Sequence, residues 1–290
     1  MSNYYFLVAG LADISFDDER INTSFEVFKE EIYPLLTVDD RKLIDLILYQ
    51  YDQRRLLSLL KKSEENRQII DDTNPTSDRG MFSDEELLEL IAAAKRGDSA
   101  LSDYPTYMFQ FVSEYLNEEM GLSTSFPEDR LNCLFYEYAS KVNNLFVRDW
   151  FCFNKDLNNI LVAFTARRHS LSTVGYVIGE DEIAEALRNS GSRDWGLSST
   201  IDFYDELLQI EEEDNLTSRE KKIDQLKWRW LDENSFFNFF SIERIFSFLI
   251  KLEIVERWIN LDKERGQQLF RALIEGLKKD VKVPSEFENN

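Results

Sequence analysis

The sequence predicts an all-α protein. Apolar residues recur at steps of three and four over most of the chain, and helix-capping residues stand at the heads of those runs. Glycine and proline are scarce, 10 and 5 in 290 residues, so turns are few and the elements between them must be long. Hydrophobic residues make up 43% of the chain, with 22 Phe, 12 Tyr and 5 Trp, which is ample for a core and argues against disorder. Residues 1–290 read as a single helical unit, with sub-bundles at 1–82, 83–190 and 191–290.

The first clear helix opens at Thr37, a capping hydroxyl ahead of Asp39 and Asp40, where the helix dipole favours negative charge. Leu43, Ile44, Ile47, Leu48, Tyr51, Leu56, Leu57 and Leu60 mark its inner face. Ser63 to Ser83 is polar, contains Asn74-Pro75 and Arg79-Gly80, and reads as a linker or long loop. Ser83 and Glu86 form a capping box for a helix through Leu87, Leu88, Ile91 and Ala94 that stops at Lys95-Arg96-Gly97. Pro105 to Gly121 reads as a helix with Phe109, Val112, Leu116 and Met120 inward. Pro127-Glu128-Asp129 starts the cleanest helix, whose stripe is Leu131, Leu134, Phe135, Tyr138, Val142, Leu145 and Phe146, with Glu137 and Lys141 paired outside. After a bend near Asn154 the helix continues from Lys155 to Arg168.

His169 to Gly179 is the one stretch with extended character and serves as a connector. A small helix over Glu180 to Asn189 and a loop over Gly191 to Gly196 follow. Ser199 to Glu213 is helical, with Ile201, Tyr204, Leu207 and Leu208 inside and the acidic run Glu211 to Asp214 as a solvated end. Thr217 to Glu220 reads as a second capping box. Phe236 to Leu261 is the most apolar helix. Arg244 and Lys251 lie on one side of it, and Glu253, Glu256 and Arg257 on another, as on a helix wrapped by different neighbours along its length. Asp262 caps a last helix through Leu277, and the tail from Pro284 is loose.

The formal net charge is −21, which repels phosphate backbones, so nucleic acid is not an expected partner. The charge serves solubility first, and attraction to a basic partner surface second. Cys133 and Cys152 are the only cysteines, as in a reducing compartment, and read as small apolar residues. The opening residues lack the basic region of a secretory signal, and no apolar run is long enough for a transmembrane segment. No catalytic constellation is visible. His169 is the only histidine, at a helix end, and shares no ligand spacing with Cys133 and Cys152. There is no phosphate-binding glycine loop. The expectation is a protein that is not an enzyme and has no catalytic, cofactor-binding or metal site. The rings Phe236, Phe237, Phe239, Phe240, Phe246 and Phe248 read as core rather than as a ligand pocket.

One internal echo stands out: residues Tyr49 to Leu57 can be laid on Phe153 to Leu161, with an aromatic residue three before an aspartate and two apolar residues at +4 and +5. The second copy, Asp156-Leu157-Asn158-Asn159-Ile160-Leu161 running on to Ala166-Arg167-Arg168, resembles a signature of the C subunit of A/V-type ATPases, which is the d subunit in eukaryotes. Ile245 to Trp258, with Lys251-Leu252-Glu253-Ile254, is similar to that family's charged apolar helix near the C-terminus. The opening Tyr4-Tyr5-Phe6-Leu7-Val8-Ala9-Gly10-Leu11 closely resembles a bacterial family encoded among V-type ATPase genes.

The resemblance implies a funnel-like assembly of helical bundles with approximate internal repeats. It implies a non-catalytic subunit of a V/A-type rotary ATPase, coupling the central stalk to the membrane rotor ring. Such a protein is cytoplasmic and peripheral on the inner face of the cell membrane, with stalk subunits and the ring as partners. Its contacts are expected at bundle ends and loops, with Ser63 to Ser83 and Gly191 to Gly196 as candidates. Two other readings stay open: a general helical adaptor or scaffold that binds partner helices, and a small-molecule or lipid binder using Phe236 to Phe248.

Overall fold

A computed structural model describes residues 4–64, 79–98, 103–117 and 126–280, with side chains throughout except at 63–64 and 264–280. Among these residues the chain forms eleven α-helices, a short 3-10 turn at Tyr33–Leu35 and no strand. The helices are α1 (Tyr5–Ala9), α2 (Phe25–Ile32), α3 (Val38–Glu64), α4 (Asp84–Arg96), α5 (Thr106–Leu116), α6 (Pro127–Ala139), α7 (Leu145–Arg168), α8 (Glu182–Asn189), α9 (Tyr204–Glu211), α10 (Leu216–Ser235) and α11 (Ile242–Asp280). The all-α class is therefore as expected.

Three long helices organise the rest. α3 packs on α4, α6 and α11, and α4, α5 and α6 pack in series beside it. α7 carries α6, α8, α9 and α10, while α11 carries α2, α3, α7 and α10. Buried residues from α2 through α11 join in one apolar cluster. A line of rings crosses it. Tyr107 meets Phe135 at 5.6 Å, Phe135 meets Phe151 at 5.3 Å, and Phe151 meets Phe246 at 6.2 Å between centroids. Phe246 touches Phe146 at 6.1 Å, and Phe146 touches Trp230 at 5.5 Å. Edge-to-face contacts of this kind add to the burial of large apolar area, and they tie α5, α6, α7, α10 and α11 together.

Most capping signals hold. The Thr37 hydroxyl accepts from the Asp40 N–H at 3.2 Å, both halves of the Ser83–Glu86 capping box form, and Gly97 ends α4 in the left-handed region at φ 73°. All eight residues expected on the inner face of α3 are buried.

Several expectations need correction. The stripe from Leu131 to Phe146 is two helices, because Asn144 starts a new one by accepting from the Val147 N–H at 3.0 Å. Leu145 is consequently exposed, and Lys141 falls beyond the end of α6 rather than pairing with Glu137 on it. No bend occurs at Asn154: its buried amide donates to the Trp150 carbonyl at 2.8 Å within a continuous α7. The cap of α10 is Asn215, which accepts from the Ser218 N–H at 3.0 Å, so the box at Thr217 does not form. No proline or glycine separates Ile242 from Asp262, and α11 runs through Asp262 without a break. The inner faces of α4 and α5 are rotated from those expected: Leu90 and Ala93 are buried where Leu88 is exposed, and Tyr107, Met108 and Phe111 join Val112 inside. Leu208 on α9 is exposed, and Ile210 is buried instead. Met120, Asn74-Pro75 and the tail from Pro284 lie outside the described residues.

The two echoing segments occupy α3 and α7, where they do similar work. On α3 the Asp52 carboxylate accepts from the N–H groups of Met81 at 2.9 Å and Phe82 at 3.3 Å, and Arg55 donates to the Phe82 carbonyl at 2.5 Å. The backbone lies so close that a Cβ on Gly80 would sit 1.9 Å from the Asp52 carboxylate. On α7, Asn159 donates to the Ile178 carbonyl at 2.7 Å and accepts from its N–H at 2.9 Å, while Lys155 pairs with Asp181. Each long helix thus pins the strand of chain that leads into the next capped helix, α4 or α8. The extended character of His169 to Gly179 resolves here: the Ile178 backbone is satisfied by a side chain rather than by a sheet partner.

Burial pushes the Asp52 carboxyl up to about 6, against the pull of the two N–H groups. Burial likewise pushes Asp156 up to about 6, against the Lys155 ammonium. A carboxyl raised in the folded state keeps its proton where the unfolded chain has lost it, so its stabilising contribution fades as pH rises through about 6. Groups held low, such as Glu114 by Arg130, act the other way, but only below their unfolded values near pH 4. Stability at pH 5.5 is therefore expected to exceed that at pH 7.5, by about 1–2 kcal/mol from Asp52 and Asp156 together. Urea denaturation at the two pH values measures it. A flat or inverted profile would contradict it, and Asp156→Asn should shallow the slope.

Candidate contact surface

α10 ends at Ser235 and α11 begins at Ile242, so residues 236–241 form a turn between them. Phe236, Phe237, Phe239 and Phe240 all stand exposed on this turn, Phe237 at 83% of its full surface. This corrects the expectation that the phenylalanine cluster is core. Only Phe246 and Phe248, inside α11, are buried. The first four rings lie outside any helix.

The N-terminal segment completes the surface. The Tyr4 N–H donates to the Phe240 carbonyl at 2.6 Å, and the Tyr5 ring lies 4.6 Å from the Phe240 ring. The Tyr4 hydroxyl accepts from the Thr37 N–H at 3.1 Å and donates to Asp40 at 2.5 Å, which fastens α1 to the head of α3. Phe6, next on α1, is 96% exposed. Monomeric proteins seldom leave a contiguous aromatic patch in water, and such patches mark interaction sites.

Beside the rings lies an open groove of about 580 Å³, walled by Val8, Leu11, Phe236, Phe239, Phe240 and Phe248. Its polar wall holds Asp13, Asp232, Arg244 and Lys251. The buried Lys251 ammonium pairs with Asp232 and stands 4.6 Å over the Trp228 ring. Burial draws the Lys251 pKa down, against the pull of Asp232. This pair bolts α11 to α10 just behind the turn. Lower on the two helices, Arg257 and the Trp258 indole N–H, the latter at 2.8 Å, hold the buried Asp224.

The triple change Phe236→Ser, Phe237→Ser and Phe239→Ser removes rings that touch little of the core. It is expected to move the free energy of unfolding by less than about 0.5 kcal/mol per residue. A guanidinium titration checks this, and a loss several times larger would mean that the rings are structural.

The residues of the Asp156 to Arg168 signature serve the fold. Beyond Asn159, the Arg167 guanidinium stacks 3.5 Å from the Trp195 ring and donates to the Ser192 carbonyl at 3.0 Å. Arg168 pairs with Glu211 at 2.7 Å, and Arg219 reaches the same carboxylate at 2.8 Å. The signature therefore ties α7 to the connector, the 191–196 loop and α9. It also corrects the view of Glu211 as a solvated end. The 191–196 loop is itself fastened: Asp194 accepts from the Ser198 hydroxyl, the Gly196 N–H and the Ser192 hydroxyl, which hold its carboxyl down at about 2. Of the candidate loop Ser63 to Ser83, residues 65–78 lie outside the described residues, and Gly80 to Phe82 are held by α3.

A known protein family, described as "Protein of unknown function (DUF2764)", matches residues 1–281. The chain belongs to this family. Comparison with curated proteins and with solved structures finds no match.

Elsewhere in this DUF2764 chain, His169 is exposed at the end of α7, as expected. Cys133 and Cys152 carry free thiols and line one small cavity of about 260 Å³ between α6 and α7, and burial raises both. Among the described residues, no group of three or more His, Cys, Asp or Glu is placed to hold a metal ion. A larger open groove of about 780 Å³ lies between α3, α6, α7 and α10, lined by amides that include Gln50, Asn132 and Asn158. Among the described residues, no helix is long and apolar enough to cross a membrane.

Proposed function

We propose that this chain is a non-catalytic contact subunit of a V/A-type rotary ATPase, seated on the inner face of the membrane between the central stalk and the rotor ring. One observation carries the reading. The segment Tyr4 to Leu11, which most closely resembles proteins encoded among V-type ATPase genes, also builds the exposed aromatic face with the α10–α11 turn. A segment with that resemblance, spent on a surface open to partners, suits a protein that works by docking. The signature at Asp156 to Arg168 fits as its scaffold, since it holds three later segments on α7. Close-packed helices with few glycines suit the transmission of load, because dense interiors pass on strain.

The test is co-purification of the tagged chain with stalk and ring proteins from its native cell. A complete, active rotary ATPase that lacks the chain sinks the proposal. The second reading, a helical adaptor outside any ATPase, is favoured by the groove beside the aromatic face, since exposed rings next to a groove offer a partner helix apolar contacts. The identity of the docked partner separates the two.

A further inference from the structure

The open groove of about 780 Å³ between α3, α6, α7 and α10 contains an amine that the fold does not use, that of Lys227 on α10. Inward lysines elsewhere are spent on carboxylates: Lys155 pairs with Asp181, and Lys251 with Asp232. Lys227 is half-buried, yet among the described residues it has no hydrogen-bond or ion-pair partner. Its Nζ is not sealed in the core, so it opens onto the groove that the residue lines. α10 runs antiparallel to α7, since Trp230 packs on Trp150 at 5.4 Å while Arg219 and Arg168 share Glu211. Lys227 therefore stands level with Asn154 and Asn158, two of the amides on the groove wall.

Net charge does not choose a ligand here, because Arg54, Arg219 and Lys227 on the lining stand against Glu128, Asp129 and Glu220. The chemistry of the amine does. An ammonium partly stripped of water, with no carboxylate in contact, loses hydration that nothing replaces, which favours the neutral amine. Burial accordingly draws Lys227 down, against the pull of Asp224, Glu253 and Glu220 and with the push of Arg257. A neutral amine has a free lone pair, and lysines in such settings attack carbonyl carbon. The amides offer donors and acceptors to a polar ligand, Leu57, Phe135 and Ile223 offer apolar wall, and the volume suits a small molecule. We propose that the groove holds a small aldehyde as an imine on Lys227. The Nζ lone pair forms the C–N bond, the carbonyl oxygen leaves as water with both amine protons, and a C=N bond remains. No oxidant or reductant takes part, and water reverses the step. The inference is independent of the aromatic face and of the function proposed for it.

The experiment incubates the purified full-length chain at pH 7.5 with propanal and cyanoborohydride, which reduces the imine and fixes it. Labelled peptides are then quantified by mass spectrometry. Lys227 should be labelled roughly tenfold faster than the exposed Lys95 and Lys141, and its rate should saturate with propanal while theirs rises in proportion. Lys227→Arg keeps the positive charge but cannot form the imine, so it should abolish the saturable uptake. The labelling ratio in the unaltered chain decides the question even if that variant does not fold. Equal labelling of the three lysines, an unlabelled Lys227, a rate without saturation or saturable uptake that persists in Lys227→Arg overturns the proposal.

Discussion

Replacing Phe246 with alanine is expected to destabilise the fold by about 3–5 kcal/mol. The residue has no exposed surface, and its ring lies edge-on to Phe146 and to Phe151 at 6.1 and 6.2 Å. Removing it opens a hole at the crossing of α7 and α11, where rigid rings on both sides leave little room to collapse. Urea or guanidinium unfolding measures the loss, and a value below about 1 kcal/mol would mean that the ring line does not organise the core. The contrast with Phe237 makes the test sharp. Both residues are phenylalanines nine positions apart, and only packing separates the expected large effect from the expected near-zero one.

Arg79→Ala should cost a similar amount, about 3–5 kcal/mol, for a different reason. Arg79 reaches Glu256 on α11 at 2.8 Å, and each side chain is only 14% exposed. Its guanidinium also stands 5.4 Å over the Phe25 ring of α2. Nearby, Tyr51 on α3 donates to Glu253 at 2.5 Å, and burial raises the Glu253 carboxyl. Deleting the cation leaves the Glu256 carboxylate in a largely buried setting where, among the described residues, the Phe25 N–H at 3.4 Å still faces it. Removing both charges, as in Arg79→Met with Glu256→Met, should recover most of the loss, since the stranded charge and not the missing attraction is the main cost. If the double variant is as unstable as the single one, the charge-burial account is wrong.

The sequence made local chemistry legible and left long-range chemistry hidden. Thr37 and Ser83 announce their helices because each precedes an acidic first turn, and Gly97 announces an end because only glycine takes its backbone angle cheaply. Asn144, Asn154 and Asn215 show the limit. Two are caps and one is a buried amide bonded back to the preceding turn, yet all three sit amid similar residues. Which role an asparagine takes depends on the neighbours that pack around it. The aromatic turn was obscured in the same way. Four phenylalanines in five positions look like core by composition, and only the end of α10 at Ser235 shows that they stand in the open. Their spacing gives no warning, since 236, 237, 239 and 240 would share one side of a helix. No local pattern joins Arg79, Glu253 and Glu256 to their partners, which lie 177 to 231 positions away.

α11 has a consequence in terms of leverage. It is 39 residues long, roughly 58 Å from end to end at 1.5 Å per residue. Its head adjoins the aromatic turn, and among the described side chains its fixings are Lys251, Glu253, Glu256 and Arg257. Those fixings act as a fulcrum. From Glu253 to Asp280 the arm is roughly 40 Å, so a tilt of about 5° sweeps the far end through roughly 3.5 Å, and a small shift where a partner seats at the rings becomes a displacement of side-chain size at the other end of the rod.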